Sequence, residues 1–269
     1  MPASELLSDL LRDRDRLAVA VQEAGAVAKK FFGGPLKQWT KGQGDSPVTE
    51  ADIAANELLH GHLVEAGDGW LSEESENDPT RLAARRVWVV DPIDGTRAFI
   101  AGREDWSVSV ALVVDGRPVV AALFAPITDE LFLSTAGGGA TRNGVAIQAS
   151  SGASLEGARV GGPKRMMERI ALNGSGIVLM PRIHSLALRL ARVAHAELDA
   201  AVAGGNGHDW DLAAADLLVH EAGGMMTALD GRALIYNRPN PVHSVLIAAG
   251  RGRHAALAKL IRAQTSEPV

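Results

Sequence analysis

The chain is 269 residues long, 46% hydrophobic and 22% charged, with a formal net charge of −5, long enough for one large domain or two smaller ones around a sizeable core. That balance excludes the overall basic field on which binding to nucleic-acid polymers or anionic membranes depends, so an anionic ligand has to be held locally. Cysteine is absent, which excludes disulfides, thiolate metal sites and cysteine nucleophiles.

The N-terminal "MPASELLSDLLRDRDR" mixes acids and arginines with leucines. It lacks the uninterrupted apolar core of a secretory signal, and no run reaches transmembrane length, so the expected location is the cytoplasm and the expected partner a small molecule. Leu6, Leu10, Leu17, Val21 and Val27 recur at near-helical spacing and predict a helix over 4–32, broken near Asp13 and stopped by Gly33-Gly34-Pro35. A polar loop, "TKGQGDSP" (40–47), leads to Thr49, whose spacing to Asp52 fits a capping box at the head of a second helix over 50–64. "WSVSVALVV", "RPVVAALFA" and "ELFLST" follow as short apolar runs separated by turn residues, the pattern of an antiparallel meander. From about Ser150, strand-like "GIVLM" and "VLIAAG" alternate with helix-like 185–194, 209–222 and 253–263. The reading is therefore an α+β first half, residues 1–149, that binds metal, and an α/β second half, residues 150–269, that walls the substrate.

One stretch carries the chemistry. In "VWVVDPIDGTR" (87–97), an apolar run that reads as a buried strand ends in Asp91 and Asp94, with Gly95-Thr96 behind them. Two carboxylates about 4 Å apart at an effective dielectric near 20 repel by about 4 kcal/mol, so something must offset the charge. A shared proton is one solution. A divalent cation is the better one, because further acids close other elements: Glu73 and Glu74 in "WLSEES", and Asp209 and Asp211 around Trp210 at the start of an apolar helix. An all-oxygen set without zinc-type histidine spacing favours Mg²⁺ or Mn²⁺. If Thr96 opens a short helix ending near Gly102, its first-turn N–H groups favour an anion, and Gly95 lets the backbone approach it. Metal on one side and amide donors on the other describe a phosphate site.

These residues resemble the lithium-sensitive, Mg²⁺-dependent phosphomonoesterases of the inositol monophosphatase superfamily. "DPIDGT" (91–96) and "WDLAAAD…EAGG" (210–224) look like its two signatures, and "SPVTEAD" (46–52), "LSEES" (71–75), "GGGATRNGVAI" (137–147) and "LDGRAL" (229–234) follow its secondary landmarks in order. "DSPVTEADIAAN", "LSEE" and "DPIDGTRAFI" look most like bacterial 3′(2′),5′-bisphosphate nucleotidases, which recycle 3′-phosphoadenosine 5′-phosphate in sulfate assimilation. The resemblance implies a layered αβαβα sandwich of the sugar-phosphatase type. It implies that Glu73, Asp91 and the Ile93 carbonyl bind one Mg²⁺, that Asp91, Asp94 and Asp211 bind a second, and it admits a third, looser ion near Glu73. Thr96, hydrogen-bonded to Asp52, would orient and help deprotonate the attacking water, with Glu73 counted among the catalytic groups, and the N–H groups of Gly95 and Thr96 would hold phosphate. A homodimer is also within the resemblance.

The chain departs from the nucleotidase pattern at Ala98, where an acid is usual, and at His184-Ser185, where Gly-Ser is usual; Ala215 replaces a usual glycine in the second signature. His184 and His208 are assigned to the substrate wall, with Ile183, Leu186 and the 203–207 loop offering flat apolar faces suited to an adenosine. Plainer readings stand beside these. Thr49 and Asp52 make a capping box whatever else they do, adjacent glutamates are usually solvated, and an Asp before an apolar helix is commonly an N-cap. "AGGGATRNG" (136–144) reads as a hairpin turn rather than a phosphate loop, and Trp88 and Trp210 as core residues beside the acidic cluster. The competing functions are a bisphosphate nucleotidase, an inositol or other sugar monophosphatase, and a non-catalytic metal or anion sensor.

Overall fold

In the computed structural model, which describes residues 3–41, 46–172 and 175–265, the run at Val87 is the second strand of a seven-stranded sheet. The strands lie side by side in chain order: β1 (Gly69–Ser72), β2 (Arg86–Asp94), β3 (Ser107–Val114), β4 (Arg117–Ala125), β5 (Glu130–Thr135), β6 (Gly139–Arg142) and β7 (Val145–Ala146). β1 pairs parallel with β2, and every later pair is antiparallel. From Val87 to Val90, β2 is apolar at every position because both its faces are covered. Trp88 and Val90 face helices α1 (Ala3–Lys29) and α2 (Glu50–Leu63), whereas Val87 and Val89 face the opposite core.

That opposite core is filled by α5 (Leu186–Ala194) and α6 (Asp209–Glu221), which lie between the first sheet and a second. A helix covered on all sides cannot be amphipathic, and α6 is buried continuously from Leu212 to Val219. The second sheet comprises β8 (Arg159–Gly161), β9 (Val178–Leu179), β10 (Ala200–Ala203), β11 (Gly224–Ala228) and β12 (Leu246–Gly250), in the order β9-β8-β10-β12-β11. β9, β8 and β10 run parallel, and the remaining pairs are antiparallel, so the sheet is mixed. Its outer face is closed by α4 (Lys164–Leu172) and α7 (Arg251–Thr265), through Met167, Ile170, Leu257 and Ile261. The five layers, helix, sheet, helix, sheet, helix, make the expected αβαβα sandwich. The short α3 (Thr96–Ile100) follows β2 directly.

Three local expectations are corrected. α1 runs unbroken through Asp13, whose carboxylate is fully buried and held by Arg86 at 2.9 Å and Arg16 at 3.3 Å; a partner 73 residues away removes the cost that made a break plausible. "AGGGATRNG" contains the strand β6, with turns on either side of it. Trp88 lies away from the acidic end of β2, donating its indole N–H to Asp68 at 3.0 Å. Of the polar loop at 40–47, residues 42–45 lie outside the described residues.

Candidate metal-dependent active site

Asp91 and Asp94 stand three apart on β2, a spacing that points side chains to opposite faces of a regular strand. The ladder is not regular there. Asp91 pairs with Ser109 and Asp94 with Ser107, so three steps on β2 match two on β3, and this bulge turns both carboxylates to one side. Asp211 meets them from the first turn of α6, where its Oδ2 accepts the His208 N–H at 2.6 Å. One carboxylate oxygen from each of Asp91, Asp94 and Asp211 lies within 4.8 Å of the others, a constellation able to hold a metal ion.

The electrostatics agree with that geometry. Burial pushes the Asp91 carboxyl well above the usual carboxylate range, and Glu73, Asp94 and Asp211 push it further. Asp211 is raised in the same way by burial and by Asp94. Asp94 is also raised by burial, opposed by the Ser185 hydroxyl at 2.5 Å and the Ala187 N–H at 2.6 Å, which both donate to Oδ2. Protein groups at the start of α5 thus hold one Asp94 oxygen. The Asp94 carboxylate ties α5, in the second half, to the end of β2, in the first. Oxygen donors confined together and short of positive charge suit a hard divalent cation.

The remaining predicted groups surround this triad. Glu73 follows β1 directly, and its carboxyl is raised by burial and by Asp52 and Asp94, against the opposing charge of Lys41. The Glu74 side chain is buried and paired with Lys41 at 2.5 Å; burial raises its carboxyl to about 7. Thr49 caps α2 and completes the capping box, its backbone N–H donating to Asp52 Oδ2 at 2.8 Å. The other Asp52 oxygen accepts from Thr96 Oγ1 at 3.3 Å, and Thr96 Oγ1 also lies 3.1 Å from the Ile93 carbonyl. The same carboxylate therefore serves both the cap and the site. Gly95 has a φ of 98°, and a Cβ there would sit 3.2 Å from the Ser185 nitrogen and 3.3 Å from the Asp105 carbonyl. Only glycine fits both the left-handed turn and the close approach.

These groups open on a cleft of about 850 Å³ lined by Glu73, Asp91, Asp94, Gly95, Thr96 and Asp211, together with Ser46, Pro47, Arg97, Arg182, His184 and Asn206. His184 stands on the wall, its ring and backbone nitrogens both within 2.7 Å of Asp105 Oδ2. His208 is placed differently: its ring stacks on Trp210 at 4.6 Å while its N–H holds Asp211, and Asn206 occupies the nearby wall. The apolar slot expected from Ile183 and Leu186 is not built, because both pack against the inter-sheet core. Arg97 and Arg182 escaped sequence reading, whereas Asn206 belongs to the 203–207 loop expected at the pocket and brings a polar group there in place of a flat apolar face. Arg97 directly follows the "DPIDGT" signature and was within reach of it; Arg182 carries no local signal.

Residues 12–266 match the model of the inositol monophosphatase family. A Streptomyces griseus protein named glucose-1-phosphate thymidylyltransferase is 36% identical over 262 residues, covering 92% of this chain and 95% of that one. The inositol-1-monophosphatase of Rhizobium meliloti is 33% identical over 225 residues, 79% of this chain and 84% of the relative. Among solved structures, the extragenic suppressor protein SuhB of Bartonella henselae superposes with a TM-score of 0.80 at 28% identity, over 92% of this chain and 97% of that one.

Proposed function

The chain belongs to the inositol monophosphatase family, and on that premise we propose that it is a Mg²⁺-dependent phosphomonoesterase whose preferred substrate carries a second anionic group, as 3′-phosphoadenosine 5′-phosphate does. The observation that carries this reading is that two arginines, Arg97 and Arg182, are among the residues lining the cleft that holds the carboxylate triad. Arginines on the wall suit a leaving group bearing phosphate. A polyol would draw on neutral and acidic hydrogen-bonding groups, and the 203–207 loop offers one such side chain, Asn206.

Asp91, Asp94 and Asp211 would hold Mg²⁺ with Glu73 beside them, and the bound metal would supply charge neutralisation at phosphorus and activation of water. The chain's own groups do the rest. Thr96 Oγ1, with its hydrogen directed at Asp52 or the Ile93 carbonyl, presents lone pairs that accept from the attacking water and orient it. The N–H groups of Gly95 and Thr96 would hold the phosphate. Lithium sensitivity and a cytoplasmic setting belong to the same reading; among the described residues no helix is long and apolar enough to cross a membrane.

An inositol or sugar monophosphatase is the second reading, supported by the name of the Rhizobium relative and by His184 and Asn206 as polar wall groups. The name of the Streptomyces relative denotes nucleotidyl transfer, so dTTP with glucose 1-phosphate belongs in the same assay. Steady-state kinetics on 3′-phosphoadenosine 5′-phosphate and inositol 1-phosphate decide between the first two. The bisphosphate should have the higher kcat/KM, and Arg182→Ala should raise its KM about tenfold, as for loss of one charge-assisted pair, with little effect on inositol 1-phosphate. A preference for inositol 1-phosphate that is indifferent to Arg182→Ala would promote the second reading.

A further inference from the structure

The sequence "HDWD" supplies two acids, and the triad uses only Asp211. Asp209 is fully buried and points elsewhere. Its Oδ1 lies 2.6 Å from His243 Nε2, and its Oδ2 accepts the Asn237 N–H at 2.7 Å. Its own N–H donates to the Pro241 carbonyl at 2.9 Å. The first turn of α6 is thereby fixed to the 237–243 segment, two residues ahead of a proposed metal ligand.

Asn237 does not stop there. Its side chain meets Arg81 reciprocally, with Oδ1 accepting from Nη1 at 2.5 Å and Nδ2 donating to the Arg81 carbonyl at 3.2 Å. Arg81 is 2% exposed, and it donates also from Nε to the Asn77 side chain at 2.9 Å and from Nη2 to the Arg238 carbonyl at 3.1 Å. Arg81 sits in the 3₁₀ turn Pro79–Leu82, shortly after Glu73 and Glu74. A continuous path, Arg81, Asn237, Asp209, therefore joins the segment following Glu73 to the turn that carries Asp211. Asn237 adopts a φ of 56°, a left-handed conformation that asparagine accepts more readily than most side chains.

We propose that Asn237 is a positioning residue that sets Asp211, contributed by the second half, against Glu73, Asp91 and Asp94, contributed by the first. The inference rests on the metal-site reading above. Its logic is that a site shared between two halves binds metal tightly only when a rigid link holds the halves in register, and groups behind metal ligands commonly change affinity ten- to a hundredfold, roughly, when lost.

Asn237→Gly separates this role from a general contribution to folding, because glycine keeps the left-handed backbone and the N–H to Asp209 while deleting both contacts with Arg81. Mg²⁺ binding measured by titration calorimetry should weaken about tenfold, and Asn237→Asp, which keeps an oxygen for Arg81, should recover most of the loss. Arg81→Met breaks the same link from the other side and serves if the glycine variant folds poorly; in the double variant the two losses should not add. Mg²⁺ bound as tightly by Asn237→Gly as by the wild type, whatever the change in thermal midpoint, overturns the proposal, as do additive losses in the double variant. A wild-type protein that binds no Mg²⁺ overturns the metal-site reading itself and this inference with it, a failure visible before any variant is made.

Discussion

Replacing Asp94 by asparagine should move stability in opposite directions with and without metal. The triad oxygens lie within 4.8 Å of one another, so any two that are ionised repel by at least about 3.5 kcal/mol at an effective dielectric near 20. Asp94→Asn removes two of the three such pairs. The full sum is not recovered, because burial and mutual repulsion raise these carboxyls and leave the metal-free cluster partly protonated near neutral pH. A gain of about 1–3 kcal/mol in the metal-free protein is expected. The asparagine oxygen can still accept from Ser185 and Ala187, and its amide can donate to Asp91 or Asp211, so no buried donor is stranded. For a chain of this size, that gain is a rise of several degrees, at about 2–4 °C per kcal/mol. In Mg²⁺ at a thousand times the wild-type Kd the order should reverse, because such an excess stabilises by about 4.1 kcal/mol and the variant forfeits most of it. Thermal unfolding of both proteins in EDTA and in millimolar MgCl₂ reads all four midpoints. A variant less stable than wild type in EDTA, or one that gains as much from Mg²⁺ as wild type does, refutes the reasoning.

Gly95→Ala should cost about 1–2 kcal/mol for the left-handed backbone alone, and more because the new Cβ meets backbone atoms of Ser185 and Asp105 that have nowhere to move; kcat/KM should fall at least about tenfold, checked by steady-state kinetics beside a melting curve, and an unchanged pair of values counts against the close approach. Thr96→Val should lower kcat by about a hundredfold while Mg²⁺ affinity stays within a factor of about two, and Thr96→Ser should retain most activity, because the role proposed for Thr96 in orienting water belongs to the hydroxyl and not to the methyl; a Val variant with wild-type kcat removes Thr96 from the chemistry. Glu130→Gln should lower stability at neutral pH and flatten its decline in acid. Burial disfavours Glu130 ionisation, but hydrogen bonds from Arg192 and Thr128 and the charges of Arg192 and Arg142 hold its carboxyl down to about 2. A depressed folded-state value gives stability present above the unfolded value of about 4.5 and lost as pH falls toward 2; denaturant melts at pH 7 and pH 3 that differ equally for both proteins contradict it.

Much of the fold was legible because its elements are locally consistent. β2 to β5 read as strands from apolar runs bounded by turn residues, and the bounds of α2 and α6 followed from Thr49 and from the acids flanking Trp210. What escaped depends on partners far along the chain. Nothing near Asp13 announces Arg86, so a buried acid in a helix looked like a break. β8 and β10 span only three and four residues, and the alanines of β10 have little strand preference until β12 pairs with them. At the site, Asp91 and Asp94 were visible as acids ending a buried strand, yet their convergence needs the bulge against β3, which is a property of the pair of strands. The wall was misread for a similar reason: the sequence gives Ile183 and Leu186 the same standing as Arg182 and His184, and only packing decides which side chains turn inward to the core.

Phosphate release from 3′-phosphoadenosine 5′-phosphate and inositol 1-phosphate, measured side by side in MgCl₂ and in EDTA, tests most directly that the carboxylate triad is a metal-dependent phosphatase site. Release in Mg²⁺ that is abolished by EDTA and restored by added Mg²⁺, and faster from the bisphosphate, is the predicted result. Equal release with and without the metal, or none from either ester under saturating Mg²⁺, would contradict it.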